Sequence, residues 1–175
     1  MPKGSAPVKY LVAILTGREE LKDHVIDNLS DHFGPVDYVG NWHPFAHTSF
    51  YSAEMGEGLK RMFVSFEKLM PPEYLYKAKA WCNKVEDRFR EDGKRKVNLD
   101  PGYVDYFKLV LASGKFGGHK IAITKGCWAD FIMTYSKGGW VPLPWCFPDF
   151  ASGVYNEDLL EIRRLFKIAR QKMLL

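Results

Sequence analysis

Only three cysteines occur in the 175 residues, Cys82, Cys127 and Cys146, and no two of them stand in a C-x-x-C pair. An odd count without that spacing offers neither a disulfide framework nor a cysteine zinc site, and it fits a reducing compartment. No window of about 18 apolar residues is present, and the opening MPKGSAPVKY lacks the apolar stretch of a signal peptide. The expectation is a soluble, cytoplasmic protein with no membrane association. Charge of one sign is scarce as well: 25 basic against 21 acidic side chains leave +4. That excess does not call for nucleic acid, but it is compatible with a small anionic molecule as partner. The patterns G-x-x-x-x-G-K-[ST], G-x-S-x-G and H-E-x-x-H are missing, so a Walker phosphate loop, a hydrolase nucleophile elbow and a zincin helix are not expected. Internal repeats, low-complexity tracts and linker-like stretches are missing too, and residues 1–175 read as a single domain.

What the chain does have is apolar and aromatic content, 46% and 15%, enough for a core without staples. KYLVAIL (9–15) is a near-continuous apolar run that predicts a buried strand. Thr16 with Glu19 fits a capping box, and Leu21, Val25, Leu29 and Phe33 share one face of a helix that Gly34-Pro35 stops. Val36–Val39 is a short strand. Residues 40–58 show no period, and an ordered loop with one helical turn is expected there. Arg61–Leu69 alternates as a half-buried strand. Pro71-Pro72 opens a second helix with Leu75, Ala78, Cys82, Val85 and Phe89 on one face, ending at Asp92-Gly93. Lys96–Leu99 is another strand, after which Asp100-Pro101 reads as N-cap and first residue of a helix reaching Ser113. His119–Thr124 and Ala129–Tyr135 form a strand pair, and Lys137-Gly138-Gly139 a turn. Trp140–Phe150 is too rich in proline for a central strand. Asn156 caps a last helix with Leu159, Ile162, Phe166, Ala169 and Met173 facing inward.

That order predicts an α+β fold with a ferredoxin-like β-α-β-β-α-β core, an antiparallel sheet with helices on one face. A helix, two strands and a C-terminal helix would extend it.

Several short strings invite a chemical reading, each beside a structural one. GKFGGHK (114–120) resembles a phosphate loop but lacks its spacing and precedes a strand, so a plain connection is the preferred reading. NKVED (83–87) has one residue too many for a guanine-reading N-K-x-D and falls within a helix, which makes a solvated helix face the better account. In HPFAH, His43 and His47 would meet as metal ligands only on a helix, and Pro44 disfavours helical geometry at His43. No metal site is assigned, and no cofactor is indicated. Arg163, Arg164, Lys167, Arg170 and Lys172 gather late in the last helix, where its dipole favours them. Trp140, Trp145, Phe147 and Phe150 read as core cover, or as an aromatic wall over a pocket or homodimer contact spanning Trp140–Phe150.

The stretch RKVNLDPGYVD (95–105) is the most unusual. In an extended segment Asn98 and Asp100 project to one side, opposite Val97 and Leu99, with basic residues close by. RKVNLDPGYVDYFKLVLAS, EMGEGLKRMFVSFEKLM, PLPWCFPDF and the opening KYLVAILTGREELKDHVIDNLSDHFGPVD together resemble an uncharacterised prokaryotic family, domain of unknown function 4416. The likeness covers residues 8–150 and leaves the C-terminal helix, 151–175, outside. Some members carry the label GTP-binding protein, but the family implies no established activity. Its pattern before EMG is closer to T-D-Y-Y, where this chain has TSFYSAEMG. The resemblance places Lys60, Arg61, Asn98, Asp100, Tyr103, Lys108 and His119 at positions matching its motifs, and these are the candidate ligand-binding residues. In the preferred reading Arg61 would pair with a phosphate or carboxylate, a nucleotide's among them, while Asn98 and Asp100 hold hydroxyl or amine groups. The alternatives are a metal-independent hydrolase or transferase using His119 and Asp100 as its catalytic pair, and a dimerising scaffold.

Overall fold

The run Val8–Thr16 (β1) is buried along its whole length, as its unbroken apolar sequence requires, and it is the axis of the molecule. The computed structural model describes residues 4–174. β1 pairs antiparallel with Lys60–Met70 (β4) on one side and Val97–Val104 (β5) on the other. Val36–Val39 (β2) and the two-residue His43–Pro44 (β3) flank β4. Beyond β5 follow Lys108–Ser113 (β6), Cys127–Ser136 (β8) and Ile121–Thr124 (β7), with Gly139–Pro142 (β9) on β8. The result is an open antiparallel sheet in the order β2-β4-β1-β5-β6-β8-β7.

Two helices, Lys22–Phe33 (α1) and Leu75–Arg88 (α3), cover one face of the sheet. Val25, Leu29 and Phe33 of α1 and Leu75, Ala78, Cys82 and Val85 of α3 pack on Tyr10, Val12, Ile14, Met62 and Val64, the alternate residues of β1 and β4. The opposite residues, Leu11, Ala13 and Phe63, meet Leu159, Ile162 and Phe166 of Asn156–Met173 (α5) and Phe150 of Pro148–Ala151 (α4). The second face is therefore covered too, which is why β4 departs from its expected half-buried pattern and is buried on both sides from Arg61 to Phe66.

Three further expectations are corrected. Thr16 is the last residue of β1 and lies too early to cap α1. Its hydroxyl donates to the Lys96 carbonyl at 2.7 Å and accepts the Arg18 N–H at 2.9 Å, while Glu19 enters a single 3₁₀ turn, Glu19–Leu21. Asn156 is the first residue of α5 rather than its cap, and Met173 ends exposed. The largest departure is that no helix runs from Pro101 to Ser113. β5 continues through Asp100, Pro101 and Gly102, paired with Ala13, Val12 and Leu11, and turns back as β6. The turn is organised by the Asp105 carboxylate, which accepts the N–H groups of Phe107 and Lys108.

Pro101 is tolerated in this strand for a local reason. Backbone groups along a strand alternate between its two edges, and the N–H and C=O of Leu99 point away from β1, toward α3. Pro101, two residues on, faces that same edge, where it has no N–H to offer. The β5–β6 ladder accordingly holds only Gly102–Leu111, Tyr103–Val110 and Val104–Leu109, leaving Val97–Pro101 without a β partner on that side. Gly102 is the complement: a Cβ there would stand 2.5 Å from the Val110 carbonyl oxygen and 2.6 Å from Leu111 Cδ2. Only glycine lets β6 approach so closely.

Lys9, fully buried, interrupts the apolar run of β1. Its ammonium is held by the Asp37 carboxylate and donates to the Phe66 carbonyl at 2.7 Å, while Ser65 Oγ donates to Asp37 at 2.7 Å. Removing the anion strands the cation, so Asp37→Ala is expected to cost about 3–5 kcal/mol of stability. Lys9→Met should cost less than half as much, since Asp37 is partly open to water. Urea unfolding of the two variants gives the comparison, and equal losses would contradict this account. Gly102→Ala should cost about 1–3 kcal/mol by overpacking the β5–β6 contact. In hydrogen exchange its loss of protection should concentrate at Gly102–Leu111.

Candidate functional site

Where β6 leaves β5, the sheet opens into a cavity of about 570 Å³. The unpaired edge of β5 is served by side chains of α3 in place of a strand. Glu86 accepts the Leu99 N–H at 2.7 Å and Lys79 donates to the Leu99 carbonyl at 3.2 Å. This answers the demand that every buried backbone group be paired. It also places two ionisable groups on the cavity wall.

Arg95, just before β5, binds this wall to the loop 40–58. Its Nε and Nη2 hold both oxygens of Glu54 at 2.9 and 2.8 Å, a bidentate pair, and Glu54 lies on Ser52–Met55 (α2). Nη1 reaches Glu86 at 3.3 Å and Asn98 Oδ1 at 3.1 Å. Asn98 in turn donates to Asp100 at 2.9 Å.

Arg61 of β4 projects from the same face of the sheet as Asn98 and Asp100. Its Nη1 is 2.8 Å from Asp149 of α4 and its Nη2 is 3.7 Å from Asp100. The rings of Phe45, Phe150 and Tyr155 lie around the guanidinium, 4.9–5.9 Å from its carbon, and Tyr155 donates its hydroxyl to Asp149 at 3.0 Å. The Nε of Arg61 is buried without a hydrogen-bond partner among the described residues.

The far wall comes from β6, β8 and the connection between β6 and β7. Lys115 lies 3.5 Å from the centre of the Phe50 ring, and Lys120 donates to Ser113 Oγ at 2.9 Å. Asp130 of β8 is buried beside them, with His119 Nε2 at 3.3 Å and Lys120 Nζ at 3.6 Å. Among the described residues none donates a hydrogen bond to either Asp130 oxygen.

These environments move the ionisation of several groups, Glu86, Tyr51 and Lys115 among them. Burial raises the Glu86 carboxyl above its usual range, an effect larger than the opposing pull of Lys79, the Leu99 N–H and Arg95. Burial, with Asp100 adding to it, pushes the Tyr51 hydroxyl up to about 12. Burial and then the nearby Arg95 and Lys120 lower the Lys115 ammonium, against the opposing pull of Asp100 and Glu54.

Of the candidate residues, the structure brings Arg61, Asn98 and Asp100 together in one hydrogen-bonded and ion-paired group. His119 stands across the cavity wall on Asp130, its ring stacked on Trp145 with centroids 5.4 Å apart. No hydrogen bond or ion pair joins it to Asp100 among the described residues. Lys60 points elsewhere and pairs with Glu19, Lys108 pairs with Asp105 in the β5–β6 turn, and Tyr103 packs near Tyr10 toward α1 and α3. His43 binds Asp158 of α5 at 2.7 Å, while His47 and Phe45 line the cavity. No group of three or more His, Cys, Asp or Glu side chains among the described residues is arranged to hold a metal ion. Trp140 and Phe150 are core residues, whereas Trp145 and Phe147 remain partly exposed.

Sequence reasoning missed Glu86, Asp130 and Asp149, and it left Arg95 outside the candidate set although it is one of the basic residues beside Asn98. Glu86 has a signal: it follows Cys82 by four residues, on the buried face of α3, which corrects the reading of NKVED as a solvated face. Asp130 interrupts the apolar strand ADFIM. Asp149 carries no pattern that sets it apart from a surface charge.

Fold and site define an α+β protein with an open nine-stranded antiparallel sheet and a charged cavity at the break between two of its strands. Comparison with family models places the chain more narrowly. It belongs to the family described as Domain of unknown function (DUF4416), whose model matches residues 6–166 and so reaches into α5. Comparison with curated proteins and with solved structures returned no match. No helix among the described residues is long and apolar enough to cross a membrane.

Glu86 yields a test with a definite sign. A carboxyl whose folded pKa is raised binds its proton more tightly in the folded than in the unfolded chain. Its contribution is therefore most favourable at acid pH and is lost as pH rises from about 4.5 through the folded value. Glu86→Gln keeps an acceptor for the Leu99 N–H. The stability of the natural protein relative to this variant should fall between pH 5 and pH 8, measured by urea unfolding at each pH. A flat or rising difference would contradict the assignment.

Proposed function

We propose that the protein is a small-molecule-binding module and that the cavity between β5 and β6 receives a ligand bearing a phosphate or carboxylate group. The observation that carries this reading is the basic rim formed by Lys115 and Lys120, which line the cavity beside Arg95. Their two ammonium groups supply charge-assisted donors to an anion. The aromatic rings of Phe45, Phe50, Tyr51 and Phe147 supply the apolar part expected of a small-molecule site.

Arg61, the anion ligand expected from sequence, is engaged by Asp149 and Asp100, and its role in this reading is to hold those two carboxylates in place. A nucleotide is one member of the ligand class. We also read the path β1-α1-β2-β4-α3-β5 as a ferredoxin-like core. Its support is the strand order β2-β4-β1-β5 with α1 and α3 on one face.

Thermal unfolding in the presence of phosphate, pyrophosphate, nucleotides, sugar phosphates and dicarboxylates tests the binding. A ligand at ten times its Kd contributes about 1.4 kcal/mol, which for a chain of this length raises Tm by about 3–6 °C. The Lys115→Ala, Lys120→Ala double variant should lose that shift, read against its own ligand-free Tm, which falls because buried Asp130 loses the nearby Lys120 ammonium. If no anion in the panel shifts Tm at millimolar concentration, or the double variant responds unchanged, the reading fails.

A further inference from the structure

Asp130 has a need that an anion at Lys115 and Lys120 does not meet. Its side chain is 1% exposed, it forms part of the cavity wall, and neither oxygen receives a hydrogen bond from a described residue. Buried carboxylates are ordinarily supplied with donors, because the cost of stripping their water is otherwise unreturned. Charge is not what Asp130 lacks, since the Lys120 ammonium stands 3.6 Å away and the His119 ring 3.3 Å away. Donors are lacking. Lys120 directs its hydrogen bonds to Ser113 Oγ at 2.9 Å and the Lys115 carbonyl at 3.3 Å, and His119 is held flat against Trp145.

With its charge already balanced, the carboxylate favours neutral donors over a further cation, and two bare oxygens on one planar group match two hydroxyls on adjacent carbons. Lys120 bonds to neutral acceptors, which an anion at the rim outcompetes, so the same ammonium that balances Asp130 brings the anion, and whatever it is attached to, beside Asp130.

We propose that the ligand is an anionic polyol, as sugar phosphates and sugar acids are, whose phosphate or carboxylate sits on Lys115 and Lys120 while a vicinal diol donates to the Asp130 carboxylate. The inference rests on the cavity being the anion site proposed above. It adds the requirement that the two groups lie within one lysine side chain's reach of each other.

Calorimetric titration with ribose 5-phosphate, 2-deoxyribose 5-phosphate, inorganic phosphate and phosphoethanolamine separates the two proposals. Two hydroxyls on a buried carboxylate should make ribose 5-phosphate bind at least about tenfold tighter than the deoxy sugar or phosphate. Asp130→Asn, an isosteric change that keeps one acceptor, should abolish the discrimination, so that ribose 5-phosphate and the deoxy sugar bind with equal affinity. Equal affinities for the two sugars in the natural protein, or discrimination that survives in Asp130→Asn, overturn the diol inference and leave anion binding standing. Tighter binding of phosphoethanolamine than of ribose 5-phosphate overturns it as well, in favour of an ammonium on Asp130. Absence of binding by all four compounds overturns this inference. It also removes phosphate monoesters from the anion reading, which the wider panel then decides. The comparison of ligands on the natural protein does not depend on the variant folding.

Discussion

The unpaired edge of β5 is the constraint from which the rest of the site follows. Pro101 has no N–H to extend the ladder, and Gly102 lets β6 come close only from that residue onward. A sheet interrupted in its interior leaves buried backbone groups that must find partners elsewhere. Glu86 and Lys79 of α3 provide them at Leu99, and Arg95 neutralises Glu86 while reaching out to Glu54 and Asn98. One missing donor thus recruits a helix, a loop and a set of charges to the place where two strands separate.

The charges assembled there are expensive to bury, and their arrangement shows how the expense is limited. Arg61 is enclosed by aromatic rings but meets Asp149 and Asp100, and Asp149 takes a second donor from Tyr155. Such networks hold a unique geometry at the risk of large losses when one partner is removed. The same logic governs Lys9 and Asp37 at the opposite end of β1, a pair that takes no part in lining the cavity. The cavity wall holds buried polar atoms without a hydrogen-bond partner among the described residues, at Asp130 and at Arg61 Nε, as His32, Trp140 and Asn156 do away from it.

Much of the architecture was legible because it rests on local periodicity. The nine-residue β1, the apolar faces of α1 and α3, and the loop with one helical turn over 40–58 all follow from patterns within a few turns or pleats. The segment 101–113 failed for a physical reason. Asp-Pro at a strand end has the chemistry of a helix N-cap, and Tyr103, Phe107, Val110 and Leu111 happen to fit a helical face. Pairing with Leu11, Val12 and Ala13, some ninety residues earlier, overrides that local preference. Asn98 and Asp100 share one side of an extended strand, as expected, whereas the placing of Arg61 on the same face and of Lys60, Lys108 and Tyr103 on other surfaces depends on registers that no short motif encodes.

The sequence by itself determined the alternation of apolar strands and helices, the coincidence of Asn98 and Asp100 on one side, and membership of the family, since each depends on residue identity and short spacing. Tertiary structure alone decided that Asp100 faces Arg61, that Asp149 and Glu86 complete the site, and that Asp130 lies buried against His119 and Lys120. These contacts join residues on different elements, from 10 positions apart for Lys120 and Asp130 to 88 for Arg61 and Asp149. They form only when nine strands have settled their registers and Pro101 has parted two of them.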